Sequence, residues 1–311
     1  MEQPGAAEHS LGAVYHGVDI MSTLDHFESA FRSASKDSFT WAPPLIRKIL
    51  VVTDLDAPGS AEFEAQIEPL LTGVLAHTVA AGVSPERRVV NGSDYTRVDE
   101  LHQLVQDWGP DLLCTYRNLH SSAWSFKFSL GEFIDVLTQA TSVPVLITPH
   151  PQQAQTAAHA LRNTDVVMAM TDHLTGSERL VNFAAAVTQP EGKLWLSHVE
   201  PEIAYERILD AIAKIPQINT DTARNLIRDK LLQQPTDYVE ACRQVIAEHR
   251  PALEVKPLVV MGHHLETYRQ LIRDHEVDLL VMNTKDEDQL AMHGMAYPIA
   301  VEIREIPLLL L

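Results

Sequence analysis

Cysteine is scarce in this chain, which has only Cys114 and Cys242 among its 311 residues. Two cysteines exclude a disulfide framework and a cysteine-rich metal site. Each lies within an apolar or helical pattern, which favours a buried free thiol. A reducing compartment, the cytoplasm, is therefore the expected location.

Long hydrophobic runs are also missing. The longest apolar stretches, at 166–170 and 307–311, are a few residues long, whereas a membrane-spanning helix needs about 20. The sequence Met1-Glu2-Gln3-Pro4 shows no basic region followed by an apolar one. We expect neither a secretion signal nor membrane insertion.

Positively charged residues are also few: the chain has 24 Lys and Arg against 42 Asp and Glu, which gives a formal net charge of −18. Phosphate contacts need clustered Lys and Arg, so the balance argues against a nucleic-acid partner. The hydrophobic share of 45% and the charged share of 21% are typical of a soluble globular protein. The length is sufficient for two domains of ordinary size.

The sequence does contain a regular alternation of strand and helix patterns. A continuous apolar run at 46–54 ends in Asp54, as expected of a parallel strand buried on both faces. A helical pattern follows at 60–81, with Pro69 inside it as a candidate kink. Continued alternation of this kind predicts an α/β fold with a parallel sheet. Further strands of this part are predicted at 88–90, 111–115 and 144–149.

The same order of elements occurs again after residue 164, starting with an apolar strand that ends in Asp172. The matching pairs are Asp111-Leu112-Leu113 with Asp278-Leu279-Leu280, Gly131 with Gly294, and Val143-Pro144 with Ile306-Pro307. Ordered self-similarity of this kind indicates a repeat. We predict two tandem doubly wound parallel-sheet domains, at 1–150 and 164–311, joined by a linker at 151–163.

The two copies differ in length. Between the first strand and the Asp-Leu-Leu strand, the second copy is longer by roughly fifty residues, about one strand and one helical excursion. The first copy lacks a counterpart of the strand at 194–199. Residues 12–19 resemble that strand, so one interpretation is a permuted first domain in which 12–19 supply the second strand and bury Val14 and Val18. The other is a chance apolar segment on a leader.

The ordered set of motifs resembles the universal stress proteins. The shared features are a first strand ending in Asp, a Gly after the third strand, a strand opening with Asp-Leu-Leu, and a final helix followed by Pro and an apolar strand. The resemblance covers about 46–149 and 164–311. A tandem arrangement is similar to the two-repeat branch typified by universal stress protein E.

This resemblance implies one five-stranded sheet per domain, of the adenine nucleotide alpha-hydrolase-like type, with ATP or AMP at the carboxyl ends of the strands. It places Asp54 and Asp172 near adenine and ribose, Gly262 near the ribose, and Gly131 and Gly294 at the ends of the phosphate loops. It further implies that the last strands of the two halves pair, which gives a pseudo-dimer within the chain and leaves a homodimer open.

The phosphate loops depart from the family pattern. The loop at 115–131 has a single terminal Gly and the bulky Trp124, Phe126 and Phe128. The loop at 283–294 carries three consecutive acids, which repel a triphosphate at short range. Backbone amides approach phosphate closely only where glycines allow it, so we expect no bound cofactor. The alternative role for Asp54 and Asp172 is to cap the turn into the next helix.

No catalytic constellation is visible. His263-His264 with Glu266 is the densest histidine group, but adjacent residues after a strand point to opposite sides, so a solvated loop is favoured over a metal site. Ser121, Ser122 and Ser177 lack the context of a nucleophile elbow. We therefore expect a non-catalytic stress-response or regulatory protein with an unidentified protein partner. The alternatives are an adenine-nucleotide-binding enzyme or ATP-dependent regulator, and an interaction module for a transporter or enzyme.

Overall fold

Apolar runs become strands and the segments between them become helices. The computed structural model describes residues 39–122, 129–152, 157, 159–171, 178–284 and 296–311, and the nine strands found there are mostly parallel. Runs such as Val-Val-Met-Ala-Met-Thr are buried almost throughout, as parallel strands covered on both faces require. The strands are β1 (Lys48–Val52), β2 (Glu86–Val90), β3 (Leu112–Tyr116), β4 (Val145–Thr148), β5 (Val166–Thr171), β6 (Lys193–Pro201), β7 (Glu254–Gly262), β8 (Leu279–Met282) and β9 (Leu308–Leu310).

Eight helices alternate with these strands in the same part of the chain. The first begins after Asp56, whose side chain accepts a hydrogen bond from the Gly59 amide at 2.9 Å, and it runs without interruption through Pro69. The helices are α1 (Ala57–Ala80), α2 (Val98–Trp108), α3 (Glu132–Ala140), α4 (Glu178–Val187), α5 (Glu202–Ile212), α6 (Thr220–His249), α7 (His264–Asp274) and α8 (Ala296–Glu302). None of them is long and apolar enough to cross a membrane.

The strands form one continuous sheet in the order β2-β1-β3-β4-β9-β8-β5-β6-β7. Every neighbouring pair is parallel except β4 and β9, which pair antiparallel. The pairing of the last strands is therefore confirmed, whereas the expectation of two separate sheets is corrected. The physical reason is that edge-to-edge pairing satisfies the backbone groups that two apolar edge strands would otherwise expose. The boundaries at 150 and 164 stay a prediction.

The second-strand position of the first half is occupied by β2. All five residues of β2 pair in parallel with β1, from Lys48 with Glu86 to Val52 with Val90, and the other side of β1 is taken by β3. Both sides of β1 are therefore taken by strands of the first half, and the permuted first domain stays a prediction. Residues 12–19 themselves, with Val14 and Val18, lie outside the described part of the chain.

The extra length of the second half is one strand and a helical excursion, as expected: two strands, β6 and β7, lie between β5 and β8 where the first half has only β2 between β1 and β3, and the excursion, α5 and α6, lies between β6 and β7. The strands on either side of it are nine residues long and pair along their whole length, against five residues each in β1 and β2. Strand β7 contains Pro257 and lies at the end of the sheet, where a residue without an amide hydrogen is tolerated.

A buried arginine links the two halves. Arg117 follows β3, is 1% exposed, and donates hydrogen bonds to the carbonyls of Ala300 and Ile303 at the end of α8. A guanidinium at that position satisfies carbonyls that lack an intrahelical partner and complements the negative end of the helix dipole.

Candidate functional site

Asp54, the predicted strand-end acid, lies two residues beyond β1 and is bound by its own chain. One carboxylate oxygen accepts a hydrogen bond from the Tyr116 hydroxyl, and the other accepts one from the backbone amide of His120 at 2.7 Å. The turn into α1 is capped by Asp56 instead, so the capping role considered for Asp54 is also corrected. Both oxygens of Asp54 therefore have internal donors.

Aromatic rings surround this carboxylate. Tyr116 meets the rings of Phe63 and His150, each with centroids 5.0 Å away, and Tyr95 meets His120 at 4.9 Å. We call this group the aromatic cluster; its members are Phe63, Tyr95, Tyr116, His120, Phe133 and His150.

Burial shifts the pKa of three members of this cluster. It raises the pKa of Tyr116, with a further rise from the hydrogen bond to Asp54, and raises that of Tyr95, with the Asp54 charge adding to it. It lowers the pKa of His150, partly offset by Asp54. The two phenols are thus donors at neutral pH, as the contacts to Asp54 and to the Thr53 carbonyl require.

The glycines of the first half serve close backbone packing. Gly131 has φ +98, and a Cβ there would lie 2.7 Å from the Cα of Asn118. Gly92, after β2, leaves space for the Asp54 carbonyl, which a Cβ would approach to 2.5 Å. These contacts explain both glycines without a phosphate. Asn118 is fully buried, and its side-chain amide has no hydrogen-bond partner among the described residues.

The carboxyl edge of the second half has a different shape. Gly262 is buried at the end of β7 and borders an open cavity of about 890 Å³ between the starts of α5 and α7. The cavity is lined by Pro201, Glu202, Ile203, Gly262, His263, His264, Leu265, Glu266, Arg269 and Arg273.

The two adjacent histidines have separate partners. The ring of His264 donates from Nε2 to the Val199 carbonyl at 2.5 Å, which ties the start of α7 to β6. His263 is exposed, and its Nε2 lies 3.9 Å from a carboxylate oxygen of Glu202. Within the ranges that the structure describes, no group of three or more His, Cys, Asp or Glu is arranged to hold a metal ion.

The predicted site residues separate into two places. Asp54 and Gly131 meet at the loop 118–120 of the first half, while Gly262 lies beyond β7 in the second half. Asp172, Gly294, Ser177, Trp124, Phe126 and Phe128 fall outside the described residues. The sequence analysis missed Tyr116 and His120 as partners of Asp54, and Arg269 with Arg273; the spacing of four between the two arginines on one helix was the available signal.

Comparison with known proteins finds similarity in fold, through solved structures. No protein-family model matches the sequence, and no curated protein matches it. A universal stress protein from Archaeoglobus fulgidus DSM 4304 superposes with a TM-score of 0.50 at 12% identity, over 85% of this chain and 95% of that one. A functionally unknown protein from Pseudomonas aeruginosa PAO1 gives a TM-score of 0.48 at 18% identity, over 86% and 92%. The chain thus has an α/β fold like that of the Archaeoglobus protein.

Proposed function

We propose that this protein is a non-catalytic regulatory protein of the stress-response type, whose first half is a closed scaffold that binds no adenine nucleotide. The observation that supports it is that both carboxylate oxygens of Asp54 already accept hydrogen bonds, one from the Tyr116 hydroxyl and one from the His120 amide. A ribose hydroxyl has to compete with both of these charge-assisted hydrogen bonds, which are about twice as strong as neutral ones.

The surroundings of Asp54 add a second obstacle. Rings of the aromatic cluster pack against Tyr116 and His120, and packed interiors resist the shifts that a ligand would need. The residues of the first half therefore do not fit an adenine nucleotide. In the second half, the corresponding Asp172 and the loop to Gly294 lie outside the described residues, and the absence of nucleotide there is proposed from the acidic loop alone.

Two measurements test this proposal. Mass spectrometry of gently purified protein is expected to find no stoichiometric nucleotide, and calorimetry with Mg-ATP is expected to show no binding in the micromolar range. The matched variant is Asp54→Asn, which should lower the melting temperature without changing the ATP titration. A low-micromolar dissociation constant that disappears in Asp54→Asn would overturn the proposal.

A second candidate, the interaction module, is favoured by exposed apolar residues on the helical excursion. Large hydrophobic side chains with 40–65% exposure lie there at five positions, Ile203, Ile208, Ile215, Ile218 and Leu226. Exposed apolar groups of this kind are common at protein contacts, and this excursion has no counterpart among the described residues of the first half.

The interaction module is tested with paired surface variants. Leu226→Lys, on the excursion, is compared with Val79→Lys, which changes a 58% exposed apolar residue on α1. A stoichiometric partner that is lost with Leu226→Lys and kept with Val79→Lys would support this function. Equal retention by both variants would argue against it.

A further inference from the structure

The cavity beyond β6 and β7 contains two arginines without partners. Arg269 and Arg273 lie one helical turn apart on α7 and both line the cavity. The side chain of neither one makes a hydrogen bond or an ion pair with any described residue, although acids outnumber bases by 42 to 24 in the chain. Unpaired guanidinium groups on a strongly acidic protein are what an anionic ligand would use, because their planar fork matches carboxylate and phosphate.

The backbone around the cavity adds partial positive charge. Helices α5 and α7, each of eleven residues, begin at its rim, and no side chain caps the start of either one. Free amides at such starts favour an anion. Two carboxylates, Glu202 and Glu266, occupy the first turns of these helices and oppose an anion at that end. The anionic group is therefore expected beside Arg269 and Arg273, further along α7.

The remaining wall is apolar. Ile203 is 59% exposed, and Leu265 and Pro201 lie beside it on the lining. A volume of about 890 Å³ is within the range of small-molecule sites. Because the apolar and cationic parts border one cavity, a purely inorganic ion would leave the apolar part of the surface without a contact.

From this juxtaposition we infer that the cavity binds a small organic anion, a phosphate ester or a carboxylate, with its charge at Arg269 and Arg273 and its apolar part against Ile203 and Leu265. The site lies at the outer strands of the second half, away from Asp54. A phosphate ester in this cavity would be held by Arg269 and Arg273 and not by Asp54, so the Arg269→Gln/Arg273→Gln and Asp54→Asn variants separate a failure of this inference from a failure of the proposed function.

The experiment titrates the full-length chain with three probes by ligand-observed NMR. Phenyl phosphate and benzoate carry the two anionic groups on one ring, and benzyl alcohol is their neutral counterpart. We expect at least one anion to bind and benzyl alcohol to bind about tenfold more weakly or not at all. Tighter binding of phenyl phosphate assigns the site to phosphate esters, and tighter binding of benzoate assigns it to carboxylates.

The chain offers a matched control for the arginines. The double variant Arg269→Gln/Arg273→Gln is expected to lose about tenfold or more in affinity. Arg224 and Arg228 have the same spacing of four on α6, and Arg224→Gln/Arg228→Gln should bind like the wild type. Arg269→Lys/Arg273→Lys keeps the charge without the planar fork and should bind with intermediate affinity. If circular dichroism shows that the Gln variant is misfolded, the Lys variant still tests the inference.

Three results would overturn the inference. The first is equal affinity in the wild type and in a folded Arg269→Gln/Arg273→Gln variant. The second is binding of benzyl alcohol as tight as that of the anions, which would make the cavity merely apolar. The third is no binding of either anion to the wild type at about 10 mM, a concentration that detects even millimolar affinities.

Discussion

The carboxyl edges of the two half-sheets are built differently on the same fold. In the first half, Asp54 is bonded to Tyr116 and His120 and surrounded by rings. In the second half, β6 and β7 lead into a cavity lined by two arginines whose side chains have no partner among the described residues. The loops and helix starts after the strands, more than the sheet itself, therefore decide whether this edge can accept a ligand.

Strand length contributes to the difference. Strands β6 and β7 are nine residues each, about 30 Å at the usual rise, while β1 and β2 are five residues each. The longer pair carries the starts of α5 and α7 past the ends of the neighbouring strands. The cavity can then form between two helix starts, an arrangement that the short β1–β2 pair does not offer.

The largest expected effect concerns the link between the halves. Arg117→Ala should lower the free energy of unfolding by about 3–5 kcal/mol, because it leaves the buried carbonyls of Ala300 and Ile303 without donors. Urea unfolding followed by circular dichroism measures it. Arg228→Ala, an exposed change on α6, is the control and should leave the midpoint unchanged. A small effect of Arg117→Ala would mean that this arginine contributes little to holding the two halves together.

A glycine substitution tests whether close backbone packing at Gly131 stabilises the carboxyl edge of the first half. Gly131→Ala forces a Cβ to 2.7 Å from the Asn118 Cα at φ +98, and should cost about 2–4 kcal/mol. Gly82→Ala has a similar φ of +79 with no atom within 4 Å of the added Cβ, and should cost only about 1 kcal/mol. Equal melting temperatures of the two variants would show that close packing at Asn118 is not the constraint.

Asp111 and Asp278 occupy equivalent positions at the start of the two Asp-Leu-Leu strands, and their effects on stability can be compared as a function of pH. Burial raises the pKa of Asp278 to about 6, above its unfolded value near 3.8, so the folded state favours the protonated form. The resulting penalty is fully present above pH 6 and disappears as pH falls toward 4. Asp278→Asn should therefore stabilise the protein relative to the wild type at pH 8, with the difference shrinking toward pH 4.

Thermal melts between pH 4 and pH 8 measure this difference. Asp111→Asn serves as the matched control, because Asp111 is the exposed counterpart and accepts hydrogen bonds from the Arg47 and Lys48 amides. A stability difference for Asp278→Asn that is constant across this range would contradict the assignment.

The smallest expected effect is a difference in thiol reactivity between Cys114 in the first half and Cys242 in the second. Both cysteines are free and buried, which confirms the expectation from sequence, and burial raises the pKa of each to about 12. Neither should react with Ellman's reagent in the folded protein at pH 8, and both should react in denaturant. In partial denaturant, Cys242 on α6 should react before Cys114 in the central strand β3, because outer helices open more readily than core strands.

Much of the fold was predictable because the strands are local, nearly continuous apolar runs. The runs at 46–54, 165–172 and 278–282 all became strands within a few residues of their predicted bounds, and the family resemblance implied that the last strands of the two halves would pair. The pattern did not predict which strand lies beside β1, because local patterning says nothing about the lateral order of strands in a sheet. The hydrogen bonds along all five residues of β2 decided it, and the role of residues 12–19 stays a prediction.

What the sequence by itself determined is the α/β class, the positions of the apolar strands, the buried thiols and the glycine at position 131. These follow from short-range periodicity and from conformational limits of single residues. Only the tertiary structure decided that Asp54 is satisfied by Tyr116 and His120, more than sixty residues away, and that Arg269 and Arg273 face the same cavity as Ile203. Such contacts depend on how the sheet order brings distant loops to one edge, which no local pattern records.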